Sequence, residues 1–209
     1  MLIRLGLLSL LGLVVVGAPA AVASGVQEPA YTVVSEQDDV EIRAYDAQIR
    51  AETVVVGPYR EALNDGFRIL ANYIFGGNAG RQKIAMTAPV GAQPAGEQIA
   101  MTAPVGAEAV GPGWRVSFVM PAEYTLETLP VPLDARVTLR AVPAHQIAAL
   151  RFSGWGGDRA VAKHQARLVD ALARLGWVAT GVAQVAQYNP PWTLPFLRRN
   201  EIVMPVGPR

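Results

Sequence analysis

Apolar residues recur along the chain with two periods, and the switches between them mark its elements. Residues 31–34 and 40–45 read as strands, the second alternating small or aliphatic with charged or aromatic side chains, with Gln37-Asp38-Asp39 as the turn. Residues 49–56 form a further β-branched strand ended by Gly57-Pro58. The period then lengthens. Leu63, Phe67, Leu70 and Ile74 recur at helical spacing, with Arg60, Glu61, Asp65, Arg68 and Asn72 largely on the other side. Pro58 suits the first turn of this helix, and Gly76-Gly77-Asn78 supplies a left-handed stop.

The second half repeats the plan. Trp114, Val116, Phe118 and Met120 alternate along a strand ended by Pro121, and 137–142 and 147–152 are two more strands around Pro143-Ala144. Asp158 is the expected N-cap of a helix with Val161, Leu168, Leu172 and Leu175 on one face and Gly176 at its end. Residues 177–187 and 200–206 read as closing strands. Two units of strands plus one helix predict an α+β domain: an antiparallel sheet or distorted β-barrel carrying both helices.

Two segments stand outside this plan. Arg4, the uncharged run 5–16 and Ala21-Val22-Ala23 have the pattern of an export signal cleaved after Ala23, with 24–30 as a short linker to a domain over 31–206. The protein is then expected to be exported, and periplasmic in a bacterium, with no stable membrane insertion after cleavage. The alternative is an uncleaved N-terminal membrane anchor, since residues 5–23 reach the lower range of spanning length. The second segment is a tandem repeat within 84–107, where Ile-Ala-Met-Thr-Ala-Pro-Val-Gly-Ala at 84–92 recurs at 99–107. An odd shift of fifteen would turn every later side chain to the other face of a strand, so the extra copy must be looped out, most simply as a hairpin turning within 93–98. A flap over a pocket and a tolerated surface expansion are both open readings, and surface insertions cost little.

Composition then narrows the chemistry. The leader takes Arg4 with it, which lowers the 18 basic residues to match the 17 acidic ones. With no charge block either, nucleic acid is not an expected partner. The chain has no cysteine, which excludes disulfides, thiolate metal sites and a thiol nucleophile. His145 and His164 are the only histidines and neither lies in a metal-binding pattern, so no metal site of the protein's own is expected. His164 falls at the margin of an apolar helix face and His145 in a turn; each reads first as a structural residue and secondarily as an axial ligand. Gly154-Trp155-Gly156-Gly157-Asp158 lacks the Lys and Ser/Thr of a phosphate loop and reads as a glycine turn. No serine lies in a nucleophile-elbow pattern, and Asp38, Asp39 and Glu41 read as solvated surface, so no catalytic residue is assigned. In the run 188–202, three prolines hold an extended loop bearing Trp192 and Phe196. Arg198-Arg199-Asn200-Glu201 then opens the last strand, Arg199 and Glu201 to one side and Asn200 to the other. A rigid aromatic loop with arginines is suited to grip an apolar ligand bearing carboxylates.

Four ordered motifs carry a resemblance: Lys83 to Val90, Val116-Ser117-Phe118-Val119-Met120-Pro121, Arg151-Phe152-Ser153-Gly154, and Tyr188-Asn189-Pro190-Pro191 with Arg198 to Ile202. Together they resemble the SOUL haem-binding protein family over about 31–206. The resemblance implies a distorted antiparallel barrel flanked by two helices, with a pseudo-twofold internal repeat, similar to effector-binding domains of bacterial regulators. It further implies non-enzymatic binding of haem or a related tetrapyrrole, as a carrier or buffer, against the apolar face of the first helix and without a required axial histidine. On this chain that face is Leu63, Phe67, Leu70, Ala71 and Ile74, with Trp192 and Phe196 of the aromatic loop beside it. Where relatives place cations near the propionates this chain has Asn64 and Thr193, so Arg60, Arg68 or Arg198 would have to substitute. His164 and His145 are the axial candidates. The alternatives are an effector-sensing or interaction module for another apolar small molecule and, as an enzyme, a tetrapyrrole-modifying activity.

Overall fold

The computed structural model describes residues 27–37, 39–80, 96–190 and 192–209. The leader and the first copy of the tandem segment lie outside the described residues. In chain order the strands are β1 (Tyr31–Gln37), β2 (Val40–Tyr45), β3 (Gln48–Val56), β4 (Asn78–Ala79), β5 (Val105–Val110), β6 (Gly113–Val119), β7 (Val131–Pro132), β8 (Thr138–Val142), β9 (His145–Phe152), β10 (Trp177–Ala179), β11 (Gln184–Gln187) and β12 (Asn200–Pro208). Helix α1 is Tyr59–Ile74 and α2 is Asp158–Leu175.

All strands but β4 and β7 join one antiparallel sheet ordered β1-β2-β9-β12-β11-β5-β6-β3-β8, with β10 beside β12. Setting aside the flanking β1 and β10, that order is a palindrome in the two units. Write the first unit as β2, β3, β5, β6 and the second as β8, β9, β11, β12; exchanging them and reversing the order returns the same sheet. The axis passes between β5 and β11, where Gly106 faces Ala186. Each unit's first strand pairs in the other unit's half, β2 on β9 and β8 on β3. This is the expected pseudo-twofold repeat. Of the expected sheet or distorted barrel, the structure has the sheet, open at the edges β1 and β8.

Both helices cover one face. There Ile42, Leu150, Ile202 and Met204 meet Leu168 and Leu172 of α2, and Ala51, Val116 and Phe118 meet Leu70, Tyr73 and Ile74 of α1. The buried stripe of α1 runs through Tyr59, Ala62, Gly66, Leu70 and Tyr73. Its small residues set the approach, since a Cβ on Gly66 would stand 2.5 Å from Val116 Cγ2. The stripe is therefore rotated from the predicted Leu63–Phe67 line, and Leu63, Phe67 and Ala71 are left half-buried along its flank.

Several boundaries move by a residue, each for a local reason. Pro58 is the extended N-cap of α1 and not part of its first turn. Gly157 caps α2, so Asp158 is its first helical residue and accepts no capping bond. Gly176 ends α2 in the left-handed region at φ 75°, as expected, whereas α1 ends at Phe75 outside that region and Gly76 follows at φ 111°. The single strand expected over 177–187 is split into β10 and β11, which pair with different stretches of β12. The second tandem copy enters the fold as a core segment: Ile99 is buried and β5 begins at Val105, forming a hairpin with β6.

Candidate functional site

The sheet has two faces of opposite character, and the side chains of interest divide between them. On the helix face, the ligand-binding residues expected on α1 separate into two kinds. Leu70 and Ile74 are fully buried and support the helix against the sheet. Leu63, Phe67 and Ala71 retain accessible surface, with Phe67 edge-on to Phe118 at 5.5 Å between ring centres. Three residues at i, i+4 and i+8 make an apolar strip about 12 Å long. Of the cations expected near it, Arg60 is exposed and makes no ion pair among the described residues, while Arg68 pairs with Asp65 on the same helix.

The aromatic loop forms a second group. Trp192 is 82% exposed and Phe196 72%, and the loop docks on the turn that precedes α2: Gly154 N–H donates to the Pro195 carbonyl at 2.9 Å and Asn200 Nδ2 donates to the Gly154 carbonyl at 3.0 Å. Arg198 lies over the Trp155 ring at 4.4 Å and its Nε donates to the Thr193 carbonyl at 2.8 Å. The two histidines belong to neither group. His164 stacks on Phe152 at 4.3 Å, its Nδ1 bonded to the Ala160 carbonyl at 2.7 Å, which leaves Nε2 as the ring's acceptor. His145 stacks on Tyr45 and places Nδ1 2.8 Å from the Pro143 carbonyl, so Nε2 accepts from Gln48 Nε2 at 3.4 Å.

The face turned away from the helices is polar, and much of it is buried. That Gln48 of β3 touches His145 of β9, strands far apart in the sheet order, shows how far the sheet curls over this face. Its centre is Glu201, 0% exposed. Arg43 grips it with Nη1 at 2.7 Å and Nη2 at 3.1 Å, Arg199 Nε donates at 3.0 Å, and the Tyr188 hydroxyl donates at 2.8 Å. Burial works to raise the Glu201 pKa, but the two arginines and the Tyr188 bond outweigh it and hold the carboxyl below its ordinary value. Burial pushes the Tyr188 hydroxyl up, and the adjacent Glu201 charge pushes it further. Tyr45 is raised to about 12 by burial, with the Arg43 charge opposing.

The expected pairing of Arg199 with Glu201, and the opposite direction of Asn200, are both present. The bidentate partner Arg43 and the Tyr188 donor had no signal in sequence spacing, because Arg43 is 158 residues from Glu201. Glu41, read as solvated surface, instead accepts from Arg43 Nε at 2.7 Å. The alternation of Glu41 and Arg43 with Val40 and Ile42 marks a polar face but cannot tell that the face is folded inward.

On the other side of the axis, Arg140 donates to Glu52 at 2.6 and 3.0 Å, Arg115 approaches Glu52 at 3.6 Å and donates to Glu108 at 3.3 Å. No group of three or more potential metal ligands is found among the described residues.

Sequence comparison adds the decisive observation. Residues 26–205 match the family described as SOUL heme-binding protein. The chain belongs to the SOUL haem-binding family. No curated protein matches this SOUL-family chain. Among solved structures it is similar to the EcmrR C-terminal domain, at 12% identity and a TM-score of 0.55 over 86% of this chain and 99% of that one. A hydrolase from Listeria innocua is similar at 11% identity and a TM-score of 0.52, over 83% of this chain and 94% of that one. At such identity both likenesses are of fold.

Proposed function

We propose that this SOUL-family protein binds haem or a related tetrapyrrole without transforming it, as an exported carrier or buffer. The family match over 26–205 carries the proposal. The half-buried strip of Leu63, Phe67 and Ala71 supports it, because an apolar macrocycle needs accessible apolar surface on a rigid element. Leu70 and Ile74 act behind the strip by fixing the helix. Arg60, one turn before Leu63 and without an ion-pair partner among the described residues, is placed to receive a propionate; Arg68 and Arg198 would first have to leave Asp65 and Trp155. Trp192 and Phe196 offer further accessible aromatic surface. His164 keeps an acceptor nitrogen for iron, whereas that of His145 already takes the Gln48 bond. Bound haem supplies the Soret band by which binding is read.

Hemin titrated into the protein without its leader should shift that band and quench tryptophan fluorescence saturably. Phe67→Asp should weaken binding at least about tenfold by placing a charge in the strip, with His164→Ala and His145→Ala having smaller effects. Absence of any saturable change in the wild type would sink the proposal. The second reading, a sensing or interaction module for another apolar molecule, draws on the likeness to the EcmrR C-terminal domain. Competition between hemin and other apolar ligands separates the two.

A further inference from the structure

The two halves of the polar face are unequal in a way their shared fold does not require. Around Glu201 the buried charges all have partners, with Arg151 exposed beside them. In the other half three arginines, Arg50, Arg115 and Arg140, face two carboxylates, and both carboxylates are already engaged by Arg115 and Arg140. Glu108 also accepts from Gln184 at 3.2 Å. Arg50 is the one left over: its Nε is buried with no hydrogen-bond partner, and among the described residues it enters no ion pair, the Glu52 and Glu108 charges acting on it only from farther off. One pleat away on the same face, Gln48 Oε1 is buried and equally without a partner. The pseudo-twofold places Ala149 at the position matching Arg50, so the sheet does not need an arginine there.

A buried N–H without an acceptor and a buried acceptor without a donor each carry a desolvation cost that intramolecular bonds leave uncompensated. We propose that Arg50 and Gln48 form a binding site for a small carboxylate bearing a hydrogen-bond donor on the neighbouring carbon, of which a hydroxy acid is the simplest case. The carboxylate takes the guanidinium and the hydroxyl donates to Gln48 Oε1. His145 bonds Gln48 Nε2 and so fixes which end of the amide is presented. It also lines a cavity of about 410 Å³ together with Tyr31, Tyr45 and Asp46, which brings a small solute to within one side chain of the pair. Arg50 faces away from α1, so this site is separate from the haem strip.

Lactate, acetate and lactamide are the probes, titrated into the protein without its leader and followed by calorimetry and by NMR at neutral pH. Lactate should bind one to one and more tightly than acetate, and lactamide weakest. Arg50→Met should weaken lactate binding roughly ten- to a hundredfold, while Arg136→Met, which alters an exposed arginine paired with Asp134, should leave it unchanged. Gln48→Met should lower the preference for lactate over acetate, a ratio that survives modest loss of folded protein. With no ligand present, Arg50→Met should melt at or above the wild-type temperature, because it removes a buried N–H that has no acceptor. Any of three results overturns the proposal: no saturable binding of lactate or acetate, lactamide binding as well as lactate, or Arg50→Met that binds lactate as the wild type does. A clear fall in melting temperature for unliganded Arg50→Met would also overturn it, by showing that the arginine is already satisfied within the fold. Hemin binding by Arg50→Met should match the wild type, so this site and the haem strip fail or stand separately.

Discussion

Glu201 is the residue on which most buried charge depends. Its carboxylate answers two arginines and a tyrosine, so Glu201→Gln would leave Arg43 and Arg199 facing a neutral amide in a buried site. A loss of about 3–5 kcal/mol in urea unfolding is expected, the usual cost of removing one partner of a buried pair. The sign of its pH dependence follows from a folded pKa held below the ordinary value of 4.5. Its stabilisation is present above that unfolded value and is lost as pH falls through the lower folded one. Wild-type protein should therefore lose stability steeply below about pH 4.5, and Glu201→Gln should show a shallower acid limb in melts taken at successive pH values. Sequence reasoning saw half of this residue's role. The pairing with Arg199 is local and follows from strand alternation, whereas Arg43 reaches Glu201 only because β2 and β12 both flank β9.

The elements were more legible than the contacts they make. Period-two and helical patterning located the main strands and both helices, because burial on one face imposes those periods directly. The orientation of α1 was not legible in the same way. Hydrophobicity points to Leu63 and Phe67, but contact distance is set by the smallest side chains, and Gly66 comes up against Val116 with Ala62 buried one turn before it. Gly66→Ala tests this. In an exposed helix that change would gain up to about 1 kcal/mol, while here the new methyl meets Val116 and a net loss of about 1–3 kcal/mol is expected in chemical denaturation. The same rotation leaves Leu63 and Phe67 with the accessible surface that the role expected from the family resemblance would need. The inward polar face had no comparable signal: alternation of charge with apolar residues looks alike on a solvated face and on one closed over by curvature.

At the scale of the whole molecule, the tandem segment tests how much of the chain the fold needs. Ile99, Thr102 and the first three residues of β5 come from the second copy. Deleting residues 84–98 joins Lys83 to Ile99 and keeps that copy in its place. Scanning calorimetry should find a single transition within a few degrees of the wild type, since a shorter loop changes closure entropy by only about 1 kcal/mol. A deletion that fails to fold would assign a structural role either to the first copy or to Glu97, whose backbone pairs with the Asn78 amide. The two-unit plan was visible in the sequence as a repeated order of elements, but the strand exchange between the units was not, because pairing partners far apart in the chain leave no mark on local pattern.

That exchange bears on how the protein must fold. With β2 seated beside β9 and β8 beside β3, each half lacks a strand until the other is in place, and neither owns a complete sheet. Two chains cut between β6 and β7 should each be largely unstructured alone by circular dichroism, yet recover native spectra when mixed. The single covalent link between the halves therefore does the work of an association constant, keeping the lent strands in reach of their partners at any dilution.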